Sequence, residues 1–218
     1  MNCGRLLAMS GLFLCACAGS GSESPTGPGL DAGTDSGVDS GTDASVDSGT
    51  EPGMDASTDS GVSERRIFIT NAVRDAALGG TDGADALCAA EARDAALGGE
   101  FKAWLSTISS PVSERLTHST VPYVRVDGTM VANDWDDLVD GAILAPINLN
   151  ANGELRSGDT WTGTLSTGAA YLGDDCVAFT DATARLALCG SSAATNAAWT
   201  ASMLPRCDSP LRLYCIEQ

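Results

Sequence analysis

Large hydrophobic residues are concentrated in the C-terminal part of the chain and are almost absent from the stretch before it. Residues 18–64 consist almost entirely of Gly, Ser, Thr, Asp, Pro and Ala, whereas residues 65–218 mix apolar and polar positions as globular domains do. A segment without large apolar side chains cannot bury enough surface to offset the entropy lost on folding. The pattern therefore predicts a disordered acidic linker over 18–64 and a folded domain over 65–218.

A strand and a long helix are predicted at the start of the domain. "RRIFIT" (Arg65–Thr70) has the β-branched and aromatic residues of a strand. "TDGADALCAAEARDAALGG" (Thr81–Gly99) is typical of a helix that is capped by Thr81 or Asp82 and stopped by its final glycine pair. Small apolar residues recur within it at helical spacing, so we expect one buried face. That face contains Ala84, Cys88, Ala92 and Ala95.

Shorter elements are predicted along the rest of the domain. "FKAWLS" is expected to be buried, and "SPVSERL" and "NDWDDLVDG" indicate short helices. "VPYVRVDGTMVA" is typical of a hairpin that turns at Asp127 and Gly128. From "TWTG" onward, short strands alternate with turn residues up to the final "LRLYCIEQ". These elements predict an α+β domain with a mostly antiparallel sheet and two main helices.

The N-terminus has the features of an export signal. One early positive charge, Arg5, precedes an apolar run that is too short to span a bilayer and is typical of a signal peptide. The run ends in "LCAC", which resembles a bacterial lipobox with Leu14 and Ala16 placed before a lipid-modified Cys17. The resemblance implies a lipoprotein signal peptide over 1–17 and a lipid anchor at Cys17. An ordinary cleaved signal with incidental cysteines is the alternative.

Acidic residues dominate the charge of the chain. The formal net charge is −17, and the linker contributes acids without any base. Nucleic acids and other polyanions need a basic face, so they are not expected as partners. Asp recurs every four residues from Asp31 to Asp47, but this spacing lacks the converging oxygens of a calcium loop. The linker is better interpreted as a solvated spacer that holds the domain roughly 35–40 Å from its anchor.

The domain contains five cysteines, and an exported chain is expected to form disulfides. They are Cys88, Cys176, Cys189, Cys207 and Cys215. No CxxC pair is present and His118 is the single histidine, so a zinc site is not expected. If "LRLYCI" is a strand, Cys207 and Cys215 lie roughly 20 Å or more apart, which is too far for a bond between them. Each then needs another partner, and Cys88 and Cys176 are the natural candidates.

Four stretches of the domain resemble endostatin, the C-terminal domain of collagens XV and XVIII. "GADALCAAEARDAALGGEFKAWLS" (Gly83–Ser106) matches the endostatin segment GAD-x-x-C followed by AR and by G-x-F-R-A-F-L-S. "DWDDL" is similar to its S-W-D-S-L, "TWTGTLSTG" to its V-W-H-G-S-D-P-S-G, and "C…LYCIEQ" to its C…V-L-C-I-E-N. The order of these motifs is kept from about residue 67 to the end. A family of exported bacterial domains of unknown function shares the pattern, and the chain resembles those domains more closely.

The resemblance implies a C-type-lectin-like fold stapled by two nested disulfides, Cys88 with Cys215 and Cys176 with Cys207. Each bridge would close a long loop and contribute roughly 2–4 kcal/mol. Cys189 departs from the family pattern. Three alternatives remain open for Cys189: a free buried thiol, an intermolecular disulfide, or a competing partner for Cys176.

Several ligands of related proteins are not expected here, and no metal or cofactor is implied. The stretch equivalent to the zinc-binding N-terminus of endostatin has no histidine, and of a heparin-binding arginine cluster only Lys102 and Arg115 remain. The calcium motifs of sugar-binding lectins are missing as well. The carboxylates of "NDWDDLVD" are better interpreted as a solvated helix face than as a calcium site. They are Asp134, Asp136, Asp137 and Asp140.

Catalysis is not indicated by the sequence. His118 has Ser119 beside it and Asp127 nearby, but no nucleophile elbow and no second histidine accompany them. We therefore predict no catalytic residue. The function expected is a non-catalytic binding or adhesion domain for protein, matrix or glycan ligands, displayed at the bacterial outer membrane or cell surface and using loops within residues 106–175. A structural envelope or matrix component and an exported hydrolase are the alternatives.

The four tryptophans of the domain have two interpretations. They are core residues or ligand-binding residues, and for three of them the endostatin resemblance favours the core. They are Trp104, Trp135, Trp161 and Trp199.

Overall fold

A mixed sheet of seven strands forms the centre of the domain in the computed structural model, which describes residues 63–218. The predicted signal peptide, the predicted lipidation site Cys17 and all but the end of the predicted linker lie outside the described residues. The strands are β1 (Arg65–Ile69), β2 (Phe101–Ala103), β3 (Tyr123–Arg125), β4 (Met130–Ala132), β5 (Asp159–Trp161), β6 (Cys189–Ser191) and β7 (Arg212–Glu217).

The C-terminal strand β7 organises this sheet. It pairs antiparallel with β1 and β2 and parallel with β5, while β1 also pairs parallel with β3. The β3–β4 hairpin and the antiparallel pair β5–β6 extend the sheet at its two ends. Four consecutive residues of β7, from Leu213 to Ile216, are almost fully buried. A continuous apolar run of this kind is typical of a strand covered on both faces.

The domain is α+β, as the sequence predicted, but it has one long helix rather than two. Helix α1 spans Gly80–Asp94, whereas α2 (Val112–Arg115) and α3 (Trp135–Leu138) are single turns. A 3-10 turn spans Ala197–Trp199. The prediction of a second main helix is therefore wrong, because in this domain only the α1 segment carries an apolar face longer than one turn.

Both predicted ends of α1 differ from the structure. The residue before the helix is Gly79, which has a left-handed φ of 83° and no side-chain cap, so neither Thr81 nor Asp82 caps it. At the other end the helix stops before the glycine pair. The N–H of Ala96 donates to Arg93 O and the N–H of Leu97 donates to Ala92 O, both at 2.9 Å. This is a Schellman motif in which an alanine with φ 55° takes the position that glycine usually occupies.

Two apolar clusters form the core. In the first, the predicted face of α1 is buried through Ala84, Cys88 and Ala92, and Ala95 packs against it partly exposed. The second contains Trp104, Trp135 and Trp199, while Trp161 belongs to the first. All four tryptophans are thus core residues.

Two disulfides connect distant parts of the chain. Cys88 of α1 is bonded to Cys215 of β7, and Cys176 is bonded to Cys207. These are the pairs that the endostatin resemblance implies, and they leave Cys189 free and buried. The bonds are compatible with an exported, non-cytoplasmic protein. Within residues 63–218, no helix is both long and apolar enough to cross a membrane.

Candidate functional site

A short left-handed turn is the most unusual backbone feature of the domain. Four consecutive residues without glycine, Cys176–Phe179, have φ between 54° and 57°. This conformation brings Cβ close to the following carbonyl oxygen and costs roughly 1–2 kcal/mol per residue. For Val177 the cost is aggravated by its branched Cβ.

Contacts on both sides hold this left-handed turn in place. The Cys176–Cys207 disulfide anchors its start, and the Asp175 carboxylate accepts a hydrogen bond from the N–H of Ala178 at 2.8 Å. At its end, Phe179 is fully buried, and its carbonyl oxygen accepts the N–H of Leu78 at 3.0 Å. Strained backbone that the surroundings hold this firmly is concentrated at functional sites.

Exposed aliphatic side chains lie on the turn and on the segments that contact it. We call this set the apolar face, and its members are Ile108, Leu172, Val177, Leu186 and Leu204. Leu172 is 79 % exposed and Val177 is 48 % exposed. Single exposed leucines are normal on a protein surface, whereas large contiguous apolar patches are typical of interaction sites.

Hydrogen bonds show that the segments carrying the apolar face are neighbours. The N–H of Ile108 donates to Asp175 at 3.3 Å, and Asp175 forms an antiparallel bridge with Ala187. A second bridge, between Leu186 and Arg206, places Leu204 diagonally across from Leu186, within reach of a side-chain contact.

Polar and charged residues lie around this face. Arg185 forms an ion pair with Asp174 at 3.0 Å, and Arg206 forms one with Asp208 at 2.8 Å. Asp175 accepts backbone N–H groups and takes part in no ion pair of the described residues. An apolar centre with a polar rim is the usual arrangement of a protein–protein interface.

A small cleft on other loops, of about 250 Å³, is the second candidate. We call it the His118 cleft, and its lining consists of His118, Ser119, Thr120, Asp134, Trp135 and Asp136. The imidazole of His118 stacks on the indole of Trp135, with ring centroids 4.0 Å apart and planes 8° from parallel. His118 Nε2 lies 2.8 Å from Ser113 O. Since a carbonyl only accepts, Nε2 is the donor of this hydrogen bond.

The residues considered for a catalytic triad do not come together. The hydroxyl of Ser119 donates to Val121 O at 2.9 Å, and the Asp127 carboxylate binds Arg125 at 2.7 Å. No hydrogen bond joins His118 to either of them among the described residues. These contacts give Ser119 and Asp127 local structural roles.

Each carboxylate of the α3 segment has a separate position. Asp134 accepts the N–H of Asp137 at 3.0 Å and caps the turn, and Asp137 accepts the N–H of Asn133 at 2.7 Å. Asp140 accepts the N–H of Ala142 at 3.0 Å, while Asp136 points no oxygen at any described donor. In the part of the chain that the structure describes, no three His, Cys, Asp or Glu side chains converge on a possible metal site.

The two basic residues that remain of the heparin-binding pattern are engaged within the domain. Arg115 forms an ion pair with Asp85 and donates to Ala103 O at 2.7 Å. Lys102 lies 3.4 Å from a Glu100 carboxylate oxygen. Neither group is left as an uncompensated positive charge.

Cys189 is isolated from solvent. It is the one free cysteine of the described residues and is fully buried on β6. Burial raises the pKa of this thiol to about 12, and the nearby charge of Asp159 acts in the same direction. A thiol in this state is protonated and inert at neutral pH.

Sequence reasoning missed the apolar face and the left-handed turn. Leu172, Leu186 and Leu204 read as ordinary apolar positions of short strands, and nothing in "DCVAFT" indicates four left-handed residues. No protein-family model matches the chain, and the comparison with curated proteins gives no match either.

Proposed function

We propose that this chain is an exported bacterial lipoprotein that binds another extracellular protein without catalysis. In this proposal Cys17 carries the lipid anchor at the outer membrane, the acidic linker raises the domain above the lipid surface, and the apolar face receives the ligand. The domain itself is proposed to be a member of the endostatin-like group with a C-type-lectin-like fold. Its order of motifs and its two disulfide pairs support that assignment.

The observation that carries the proposal is the apolar face around the left-handed turn. Its exposed side chains are aliphatic, and aliphatic groups gain free energy when an apolar partner covers them, about 25 cal/mol for each Å² removed from water. A protein ligand suits such a surface better than a glycan does, since sugars are usually received by exposed aromatic rings and polar groups. All four tryptophans lie in the core instead.

The strain of the turn fits the same role. Because the disulfide and Phe179 hold the turn in one conformation, Val177 is presented to a ligand without further loss of backbone entropy. Preorganisation of this kind improves affinity by reducing the cost of binding. The expected loops within 106–175 contribute Ile108 and Leu172, and the proposal extends the binding surface to Leu204.

The test is a pair of matched variants in the exported full chain. Leu172→Asp places a charge on the apolar face, and Leu155→Asp places one at a similarly exposed position outside it, where Leu155 is 66 % exposed. Proteins captured from the cell surface by proximity crosslinking are compared for the wild type and the two variants. We expect a partner that the wild type and Leu155→Asp both retain and that Leu172→Asp loses.

Equal capture by the two variants would overturn the proposal for this face. Sedimentation, which measures self-association, distinguishes the proposed protein ligand from the structural alternative, in which the partner is a second copy of the chain. Self-association that Leu172→Asp abolishes would favour an envelope or matrix component. The hydrolase alternative has no support from the arrangement of His118, Ser119 and Asp127.

A further inference from the structure

We infer that the ligand of the apolar face is an extended segment of another protein, which pairs as an added strand with residues 202–206. We call these residues the edge segment. The inference rests on the proposed function, because it names the conformation in which a protein ligand meets the apolar face. Leu204 connects the two surfaces, since it belongs to the apolar face and lies at the centre of the edge segment.

The edge segment pairs with the rest of the domain on one side only. The N–H of Ala187 donates to Pro205 O at 3.1 Å, and the N–H of Cys189 donates to Met203 O at 2.9 Å. The bridges at the two ends of this antiparallel pairing keep the same register. Among the described residues, no other strand or bridge pairs with the opposite side of the edge segment.

The backbone polar groups of Leu204 point to this unpaired side. In an antiparallel ladder, residues that exchange hydrogen bonds alternate with residues whose N–H and C=O groups face away from the partner strand. Met203 and Pro205 hold the bonded positions, so Leu204 between them faces outward. Its N–H and C=O have no partner among the described residues, and neither does the N–H of Arg206. The outer side therefore presents a donor, an acceptor and a donor at the spacing of a strand.

Pro205 leaves the outer side free for pairing. Proline in an edge strand usually prevents the addition of another strand, because it offers no N–H to the open side. The nitrogen of Pro205 faces inward instead, towards Ala187, whose carbonyl oxygen receives no donor among the described residues. The outer side is also accessible, since Met203 is 51 % exposed and Leu204 is 42 % exposed.

A strand added at this edge would also cover the apolar face. Leu204 and Leu186 are diagonal neighbours on the same side of the ladder. The ligand residue opposite Leu204 points to that side too, and so does every second residue along the ligand. A ligand with apolar residues at alternate positions therefore bonds the edge through its backbone and the aliphatic face through its side chains. Strand addition of this kind takes affinity from main-chain bonds and specificity from alternate side chains.

Other occupants fit this edge less well. A helix uses its own N–H and C=O groups internally, so it cannot bond the outward groups of Leu204. A second copy of the chain could pair edge to edge, but the net charge of −17 opposes the approach of two copies.

The experiment titrates the isotope-labelled full chain with the uncharged peptide acetyl-SVTVTVS-amide, while backbone amide resonances are followed by NMR. The control is the same peptide N-methylated at its three valines, which removes the N–H groups of the edge that turns valine towards the apolar face. We expect the first peptide to shift the amide resonances of Leu204 and Arg206 and to slow their hydrogen exchange. The Met203 amide, which already donates to Cys189 O, should exchange as before. The N-methylated peptide should bind about fivefold more weakly.

Two variants test the same bond from the side of the protein. Leu204→Pro removes the outward N–H, and Leu204→Ala is the matched control that shortens the side chain but keeps the N–H. We expect the affinity for the first peptide to be about fivefold lower in Leu204→Pro than in Leu204→Ala. Urea unfolding checks that both variants fold. The N-methylated peptide tests the bond on the unaltered chain should Leu204→Pro fail to fold.

Three results would overturn the inference: unshifted Leu204 and Arg206 amides, equal binding of the two peptides, or equal affinity of the two variants. Shifts of these amides that depend on protein concentration without peptide would assign the edge to a second copy and overturn its assignment to another protein. The crosslinked partner separates this inference from the proposed function. A partner that Leu172→Asp loses and Leu204→Pro retains would leave the proposed function standing and overturn strand addition, whereas a partner that Leu172→Asp retains would overturn the proposed function.

Discussion

Arg66 and Glu217 form a two-point ion pair where the first strand of the sheet meets the last. Nε of Arg66 donates to one carboxylate oxygen of Glu217 at 2.8 Å, and a terminal guanidinium nitrogen donates to the other at 2.7 Å. The backbone N–H of Arg66 adds a third bond at 3.0 Å. The pair thereby joins residues 151 positions apart at one end of the ladder between the central strands β1 and β7.

Glu217→Gln is expected to lower the free energy of unfolding by about 1–3 kcal/mol at pH 7, because it breaks charged hydrogen bonds that are partly buried. Burial by itself raises the pKa of Glu217, but the hydrogen bonds from Arg66 outweigh burial and the pKa is lowered overall. A carboxylate with a lowered folded-state pKa contributes stability above its unfolded pKa of about 4.3 and loses it as the pH falls through the folded value. Urea unfolding between pH 7 and pH 3 should therefore show the two proteins converging at the acid end. Glu114→Gln, at an exposed carboxylate outside the ion pairs of the described residues, is the control, and a difference that does not shrink as the pH falls would contradict the prediction.

Val177→Gly is expected to raise the free energy of unfolding by about 1 kcal/mol, because glycine adopts a φ near 55° without the Cβ clash. Val177 is half exposed, so little buried surface is lost. The same substitution should weaken binding of the proposed ligand to the apolar face, because the valine side chain is part of that face. Ala96→Gly is the matched control, since it relieves the strain of the same left-handed conformation at the end of α1, away from that face. Chemical denaturation and ligand binding are measured on both variants, and a destabilised Val177→Gly would argue against a strained turn.

The two disulfides are expected to contribute unequally. Cys88 and Cys215 are 127 residues apart and Cys176 and Cys207 are 31 apart. Chain entropy then assigns about 5 kcal/mol to the first bond and about 4 kcal/mol to the second. Loss of the second bond also lets the left-handed turn relax, which reduces its net cost further. Replacing each pair by alanines and comparing urea midpoints tests this order, and a larger loss for the Cys176 and Cys207 pair would refute it.

Cys189 is expected to resist thiol reagents in the folded protein, because its buried thiol has a pKa of about 12. Iodoacetamide labelling at pH 8, followed by mass analysis of the peptide containing Cys189, should give little modification in buffer and full modification in guanidinium. Cys189→Ala identifies the peptide. Rapid labelling in buffer, or a Cys189-dependent dimer on a non-reducing gel, would restore the intermolecular link considered from the sequence.

Much of the local structure could be predicted, since it depends on neighbouring residues. Strand β1 begins at Arg65 as expected, the buried face of α1 follows its helical spacing, and the hairpin turns at Asp127 and Gly128. The end of α1 could not be predicted from the positions of the glycines. Ala96 adopts the left-handed conformation instead, and two backbone hydrogen bonds offset the free energy that this costs.

The candidate sites were less accessible to prediction. The sequence pointed to His118 and to the α3 carboxylates but could not show that His118 lies flat on Trp135 rather than facing Ser119. The orientation of the His118 ring depends on Trp135, on which it stacks, and on the carbonyl of Ser113, which belongs to α2.

By itself, the sequence determined that the domain is α+β, that its helix buries a face of small residues, and that Cys207 and Cys215 cannot bond to each other. These properties follow from spacing along the chain, which fixes which side chains share a face and how far apart they lie. The tertiary structure alone decided that Leu172 and Leu186 stay exposed beside a left-handed turn. Their exposure depends on which distant segments cover them, and the turn is held by contacts with Cys207 and Leu78, which lie far from it in the sequence.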